Sequence, residues 1–336
     1  MWKPLALLWL WGASNLLPAA GTLDISFVDV EGGQATLIVS PSGESMLVDA
    51  GWPGYEGRDA GRILEAAKKA GVRRIDYLLV THYHLDHVGG APPLAEKIPI
   101  VHFVDHGPNT ESGGRAEELT APYLKLVAKG KHIIVQPGDA IPLKGVDIKV
   151  VTARGNHLPA PLTGAGSANS LCQAEARKES DLSENARSVG FLVAYGKFRF
   201  IDLGDLTWNK ELALACPSNL VGKVDVYLTT HHGIDLSGPR ALVHSLQPRV
   251  AIMNNGPRKG GSPAAWRIVR SSPGLEDFWQ LHHAIEGGSE TNAPAEYVAN
   301  TEEKCQGRGL KLSARADGSF TVTNERTVFR KSYQAR

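Results

Sequence analysis

Apolar and polar positions alternate in short runs along most of this chain, and the period shifts from place to place. Residues 23–30 alternate with the period of a strand, Glu31-Gly32-Gly33-Gln34 makes a turn, and 35–40 and 45–49 read as two strands joined at Pro41-Ser42-Gly43-Glu44. Within 58–70, Ile63, Leu64, Ala67 and Ala70 share one helical face, and Gly71 stops the helix. Residues 75–80 form a near-continuous apolar run, the pattern of a strand buried on both faces. A short helix over 88–97, a strand over 100–104, a helix over 116–129 and strands near 132–135 and 146–152 follow. Residues 153–187 are polar and rich in small side chains, a length of loop that points to function or disorder. Beyond it the pattern predicts a hairpin of 191–195 and 198–203 about Gly196-Lys197, a helix over 208–215 and a strand over 224–230. A helix over 239–246, a strand over 250–253 and a helix capped by Ser262 with Pro263 in its first turn come next. A hairpin of 310–314 and 319–322 turns at Asp317-Gly318. Strands and helices thus alternate in two sets, one on each side of the long loop. That order predicts an α/β protein of two packed sheets with helices outside, and residues 21–336 are expected to form one domain.

Composition changes this picture little. With 42% hydrophobic and 21% charged residues among 336, the chain has the make-up of a globular protein with a sizeable core. Lys and Arg number 36 against 35 Asp and Glu, a net +1, which gives no support to wholesale electrostatic binding of nucleic acid or anionic membrane; a local basic groove stays open. Residues 1–20 read as a secretory signal peptide, with Lys3 as the positive region, an apolar stretch over 5–11 and Pro18-Ala19-Ala20 as the cleavage zone. An uncleaved anchor is the alternative, although a membrane span needs about 20 apolar residues. The expectation is an exported protein, periplasmic or secreted. Cys172, Cys216 and Cys305 allow one disulfide between two of the three, and none stands in a CxxC pair.

The chemistry concentrates at the ends of apolar runs. After residues 75–80 comes Thr81-His82-Tyr83-His84-Leu85-Asp86-His87-Val88-Gly89-Gly90, three imidazoles and a carboxylate in six residues. Imidazole nitrogen and carboxylate oxygen are the donors that Zn²⁺ and similar cations take. His82 and His84, two apart on extended chain, point to one side, and Asp86 and His87 lie where the chain turns. Two further apolar runs end in polar groups. One closes on Asp202-Leu203-Gly204-Asp205, where Asp205 is the stronger candidate and helix capping its structural alternative; the other closes on His231-His232-Gly233.

HxHxDH after a strand, Gly-Asp after another and a histidine after a third resemble the metallo-β-lactamase superfamily over residues 23 to about 284. With Glu184-Asn185-Ala186-Arg187-Ser188-Val189 included, the pattern is most similar to the hydrolase domain of ComEC-type competence proteins, and also similar to exported phosphocholine esterases. The resemblance implies a four-layer αββα sandwich with two divalent ions at one edge of the sheets, Zn²⁺ first and Mn²⁺ second. It implies His82 and His84 on one ion, Asp86 and His87 on the other, and Asp205 between them. One of His231 and His232 is the remaining ligand, with His232 favoured and His231 as donor to the substrate. Many members carry a further histidine just before the Gly-Asp strand; residues 183–188 have none, which leaves Asn185 or His157 in its place. His84 stands where the di-iron oxidases of the superfamily have glutamate, which argues against a di-iron oxidase, while mononuclear iron dioxygenases share HxHxDH and stay open; the mechanism the resemblance implies is hydrolysis by a metal-activated water, oriented by Asp86. In Asn254-Asn255-Gly256-Pro257-Arg258-Lys259-Gly260-Gly261, the residues Asn255, Arg258 and Lys259 could hold a phosphate, with a solvated loop as the alternative. Trp52 and Tyr55 are rim candidates, Tyr83 and Leu85 pocket candidates, and His282-His283 a distant one. The expected function is an exported metal-dependent hydrolase of a phosphodiester or related ester. The alternatives are a lactonase or β-lactamase-like hydrolase and a non-catalytic metal-binding module. The sequence carries no run of membrane spans of the kind a DNA-uptake channel needs.

Overall fold

The structure, a computed structural model, describes residues 21–336; the leader expected over 1–20 lies outside the described residues. In chain order the strands are β1 (Leu23–Phe27), β2 (Thr36–Val39), β3 (Ser45–Val48), β4 (Ile75–Leu79), β5 (Ile100–Asp105) and β6 (Lys131–Ile134), then β7 (Ala140–Ile141), β8 (Asp147–Ala153), β9 (Asn156–His157), β10 (Gly190–Tyr195), β11 (Phe198–Asp202), β12 (Val226–Leu228), β13 (Val250–Met253), β14 (Asp277–His282) and β15 (Val298–Asn300). The last three, β16 (Leu310–Ala314), β17 (Phe320–Asn324) and β18 (Arg330–Tyr333), return to the first sheet. The first sheet runs β18-β17-β16-β1-β2-β3-β4-β5-β6, and the second β15-β14-β13-β12-β11-β10-β8-β7 with β9 on β8.

Every second residue of β1, β16 and β17 is buried, as period-two alternation requires of a sheet with one face on the core. Those inward residues, Ile25, Phe27, Leu312 and Val322 among them, meet Val150, Phe191, Phe200 and Ile252 of the other sheet in one cluster. The outer face of the first sheet packs under α1 (Arg58–Lys69), α3 (Ala91–Ala95) and α4 (Gly114–Val127), and that of the second under α5 (Trp208–Ala215), α6 (Arg240–Leu246) and α7 (Pro263–Arg270). The chain therefore has the four-layer αββα architecture that the resemblance implies.

Several elements differ from the pattern-based expectation. The helix expected over 88–97 is two pieces, α2 (Leu85–Val88) and α3, because Gly90 N donates to Gly51 O instead of back along the helix; Gly89 and Gly90 also lie so close to the Pro53 ring and the Ala50 carbonyl that a Cβ has no room. The strand expected over 224–230 keeps only Val226–Leu228, since His231 and His232 take left-handed φ of 56° and 55°. The long segment 153–187 is tethered by a disulfide between Cys172 and Cys216, leaving Cys305 free. β14, β15 and β18 were not legible. Among the described residues, no helix is long and apolar enough to cross a membrane.

β3 to β6 are mutually parallel, as are β11 to β15. The polar sequences that follow β4, β11 and β12 therefore leave the sheets at strand carboxyl ends, and the two sheets bring those ends together.

Candidate metal centre

The first sheet contributes a scaffold before it contributes donors. Asp49, just past β3, has a φ of 58° and is wholly buried. Its carboxylate accepts from Thr81 N at 2.8 Å, Thr81 Oγ1 at 2.7 Å and His87 Nδ1 at 2.7 Å. Donation from Nδ1 to a carboxylate orients the His87 ring with Nε2 inward, the arrangement in which an outer carboxylate fixes a metal-binding imidazole. His82 turns its Nδ1 to Thr81 Oγ1 at 3.1 Å. Its ring centroid is 4.1 Å from that of His87 and 4.7 Å from that of His84. His84 lies nearer the surface, its Nε2 3.2 Å from Glu111 Oε1.

The second sheet supplies the counterpart. Gly204 has a φ of 56°, and an added Cβ would lie 2.9 Å from Thr81 Cβ, so this turn is reserved for glycine. Gly204 O accepts His231 N at 2.9 Å, tying the end of β11 to the end of β12. Asp205 Oδ2 stands at the middle of the group, 3.2 Å from His87 Nε2, 3.3 Å from both His231 Nε2 and His232 Nε2, and 4.0 Å from His82 Nε2. Asp86 Oδ2 is 3.3 Å from His87 Nε2 and from His232 Nε2. Donor atoms of Asp86, His87, Asp205 and His232 all fall within 4.8 Å of one another, and all four residues are buried.

Burial without hydrogen-bond partners tests the fit to a cation. His82 Nε2, His87 Nε2, His232 Nε2, Asp205 Oδ1 and Asn185 Oδ1 are buried and have none. Leaving such atoms unsatisfied costs roughly 1–3 kcal/mol each, and a divalent ion is the partner that serves them together. The electrostatics agree. Burial, with His87 beside it, holds the His82 ring well below the usual imidazole range, so it is a neutral donor. Burial opposes charge on His87 too, but Asp205, Asp86 and Asp49 outweigh it and hold its pKa well above the usual value; a proton there is what a cation would displace. Burial raises Asp205 and Asp86, yet the surrounding imidazoles, with Lys259 beside Asp86, carry both well below the carboxylate range.

The remaining sequence candidates separate. Both His231 and His232 reach Asp205. His231 differs in that Nδ1 is 3.2 Å from Ser237 Oγ, which itself donates to Leu206 O, and burial depresses its pKa to about 4. Asn185 faces His231, Nδ2 to Nε2 at 3.4 Å. His157 is exposed, with Nδ1 on Leu158 O, and belongs to a neighbouring cavity. Asp202 is spent on Gln34 Nε2 and Gly204 N. Lys259 ion-pairs with Asp86 and lies 5.0 Å over the Trp52 ring. Two substrate candidates have partners of their own in this structure. Asn255 is buried and occupied with Gly256 O and His282 O, and Arg258, 69% exposed, pairs with Glu303 at the surface. Tyr55 stacks on Arg58 rather than on the cluster, and His282 binds Asp29. Asp49, Glu111 and Ser237 were missed; each acts through a single side chain brought in from elsewhere in the chain, with no local pattern to mark it.

A cavity of about 560 Å³ lies beside this edge, lined by His106, Thr110, Arg154, His157 and Arg187. It shares a wall with the centre: Glu184, next to Asn185, accepts from Thr110 N and pairs with His106, and Glu184 N donates to the Glu111 that holds His84.

The family model described as the metallo-beta-lactamase superfamily matches residues 28–169. Recombination protein 2 of Haemophilus influenzae is 25% identical over 237 residues, 70% of this chain and 24% of that protein. Hydroxyacylglutathione hydrolase of Xylella fastidiosa is 28% identical over 135 residues, 40% of this chain and 42% of that enzyme. The chain thus spans about a quarter to two fifths of the length of these curated relatives. Among solved structures, the metallo-beta-lactamase fold protein YhfI from Bacillus subtilis aligns with a TM-score of 0.48 at 11% identity, covering 77% of this chain and 96% of that one.

Proposed function

We propose that this chain is a hydrolase of the metallo-β-lactamase superfamily, that it is exported, and that it cleaves a phosphodiester with two divalent ions, Zn²⁺ first and Mn²⁺ second. The observation that carries the reading is the meeting of His82, His87, Asp205, His231 and His232 around one buried point with three imidazole nitrogens unpartnered. His82 and His84, with Asn185 beside them, would hold one ion, and Asp86, His87 and His232 the other, with Asp205 available to both. A bound pair supplies Lewis-acid polarisation of the scissile centre and lowers the pKa of a water. The chain's own residues do the rest. Asp86 orients the attacking water and takes part of its proton. Asp49 and Glu111 keep the His87 and His84 rings in place. His231, neutral and with its Nδ1 hydrogen on Ser237 Oγ, presents a bare Nε2 toward Asp205, so it serves as an acceptor or a further nitrogen donor to a cation rather than as the hydrogen-bond donor to substrate that the sequence suggested.

Two features support an anionic ester. Lys259 brings a cation to Asp86 at the mouth, and the neighbouring cavity carries Arg154, Arg187 and His157. The Cys172–Cys216 disulfide supports export, since such bonds persist in oxidising compartments. A thioester is the second reading, favoured by the likeness to hydroxyacylglutathione hydrolase. Bis(p-nitrophenyl) phosphate, nitrocefin, a simple lactone and a glutathione thioester, offered to the zinc-loaded and manganese-loaded chain, separate the readings. Diester turnover lost in Asp86→Ala and His84→Ala is expected. Thioester or lactam turnover without diesterase activity moves the assignment to that branch, and no turnover of any with two ions bound favours a non-catalytic module.

A further inference from the structure

A second set of metal donors lies outside the centre described above, at residues the proposed reaction does not use. Asp29 follows β1, His282 ends β14, and Cys305 sits in the connection from β15 to β16. Asp29 and His282 are fully buried, and Cys305 is half-buried. His282 Nε2 is 2.7 Å from Asp29 Oδ1, and Cys305 Sγ is 3.2 Å from Asp29 Oδ2 and 4.0 Å from His282 Nε2. Glu31 Oε1 is the nearest further oxygen, 3.8 Å from the sulfur. A thiol, an imidazole and a carboxylate thus fall within 4.8 Å of one another. We propose that Cys305, His282 and Asp29, with Glu31 completing the set, bind a single borderline-soft divalent cation, zinc in the first place, as a structural ion separate from the hydrolytic centre.

Spacing and charge both favour it. A tetrahedral zinc with bonds of about 2.0–2.3 Å holds its donor atoms about 3.3–3.8 Å apart, and the present separations bracket that range, so side chains need to move only by tenths of an ångström. Two hydrogens converge on the Asp29 carboxylate, one from Nε2 and one from Sγ, and they occupy the space the cation would take. Around it Arg62 bridges Asp29 and Glu31 at 3.0 Å each, and Arg58 holds Glu31 and Asp59 at 2.6 Å each. The three carboxylates of Asp29, Glu31 and Asp59 thus outnumber the two guanidinium groups that hold them, so a cation among Asp29, His282 and Cys305 meets a surplus of negative charge.

The place gives the ion a purpose. Residues 29–34 form the turn that packs on the first metal-ligand motif: Gln34 N donates to Asp86 O at 3.0 Å, and Gly33 lies against the same carbonyl. Fixing Asp29 and Glu31 to β14 and to the β15–β16 connection holds that turn.

Cobalt is the probe, because thiolate ligation to Co²⁺ gives a charge-transfer band in the near ultraviolet. The reduced, metal-stripped chain, titrated with Co²⁺ and followed by absorption and native mass spectrometry, is expected to show the band and to bind one ion more than Cys305→Ser. His282→Ala is expected to lose the band, and His87→Ala, in the other centre, to keep it. The proposal is overturned if the wild type, its Cys305 shown reduced by a thiol reagent, gives no band in excess cobalt, or if wild type and Cys305→Ser bind equal numbers of ions. The first of these results is read on the unmodified chain, so it depends neither on a variant that folds nor on hydrolysis.

Discussion

His87 shows how one side chain is made into a donor by another that touches no ion. Its Nδ1 hydrogen goes to Asp49, and Asp49 is held in turn by the backbone and hydroxyl of Thr81. Asp49→Asn keeps the shape but weakens that acceptor, and outer partners of this kind are worth about 10–100-fold in metal affinity. Competition with a chromogenic chelator should show a loss of that size; unchanged affinity would mean that the ring is oriented by packing alone. The donors that lie close in sequence were legible because HxHxDH compresses three imidazoles and a carboxylate into one turn. Asp205 and the 231–232 pair were legible because they end apolar runs. Lone residues whose meaning depends on a distant partner were not. Arg258 has the chemistry of a phosphate holder, yet Glu303 takes it; Asn255 has the chemistry of a surface amide, yet two buried carbonyls take it.

At the scale of elements, the segment after β12 carries two adjacent imidazoles in left-handed backbone, a conformation that costs about 1–3 kcal/mol per residue unless its surroundings impose it. α5 is one such constraint. Glu211, wholly buried in that helix, accepts Gly238 N at 2.6 Å from the far end of the segment. Burial pushes its pKa up to about 8. The folded chain thus holds a proton that the unfolded chain, with an ordinary carboxyl, gives up above about pH 4. The associated stability is fully present below that value and is lost as pH rises through about 8. Urea midpoints for wild type and Glu211→Gln should diverge in favour of the variant between pH 5 and pH 9. A constant difference would show that Glu211 is ionised throughout. Helices such as α5 and α7 were legible from their apolar stripes and from the Ser262 cap, which accepts Ala265 N. β14 and β18 were not, for opposite reasons. β14 buries Gln280 and His282 among its apolar residues, and β18 buries Tyr333 but leaves Arg330 and Ser332 exposed, so neither reads as a strand until its neighbour is known.

For the whole molecule, the layering followed from two alternating sets of strands and helices, but the join between the two ends of the chain did not. β1 lies in the interior of its sheet, with β2 on one side and β16 on the other, Leu23 opposite Ala314. Removing residues 310–336 would strip β16 to β18 and bare the backbone of β1 along its length, as well as the faces of Phe198 and Trp279 that pack on Phe320 and lie beside Tyr333. Such a truncation is expected to partition into the insoluble fraction, and its recovery as a soluble monomer would argue that β16 to β18 are dispensable. The same adjacency sets an order of events during folding. β1 cannot be flanked on both sides until β16, far along the chain, has been brought to it, so until then its open border is a surface for chaperones to shield, and the imidazoles of the neighbouring strands wait on a sheet that is still incomplete.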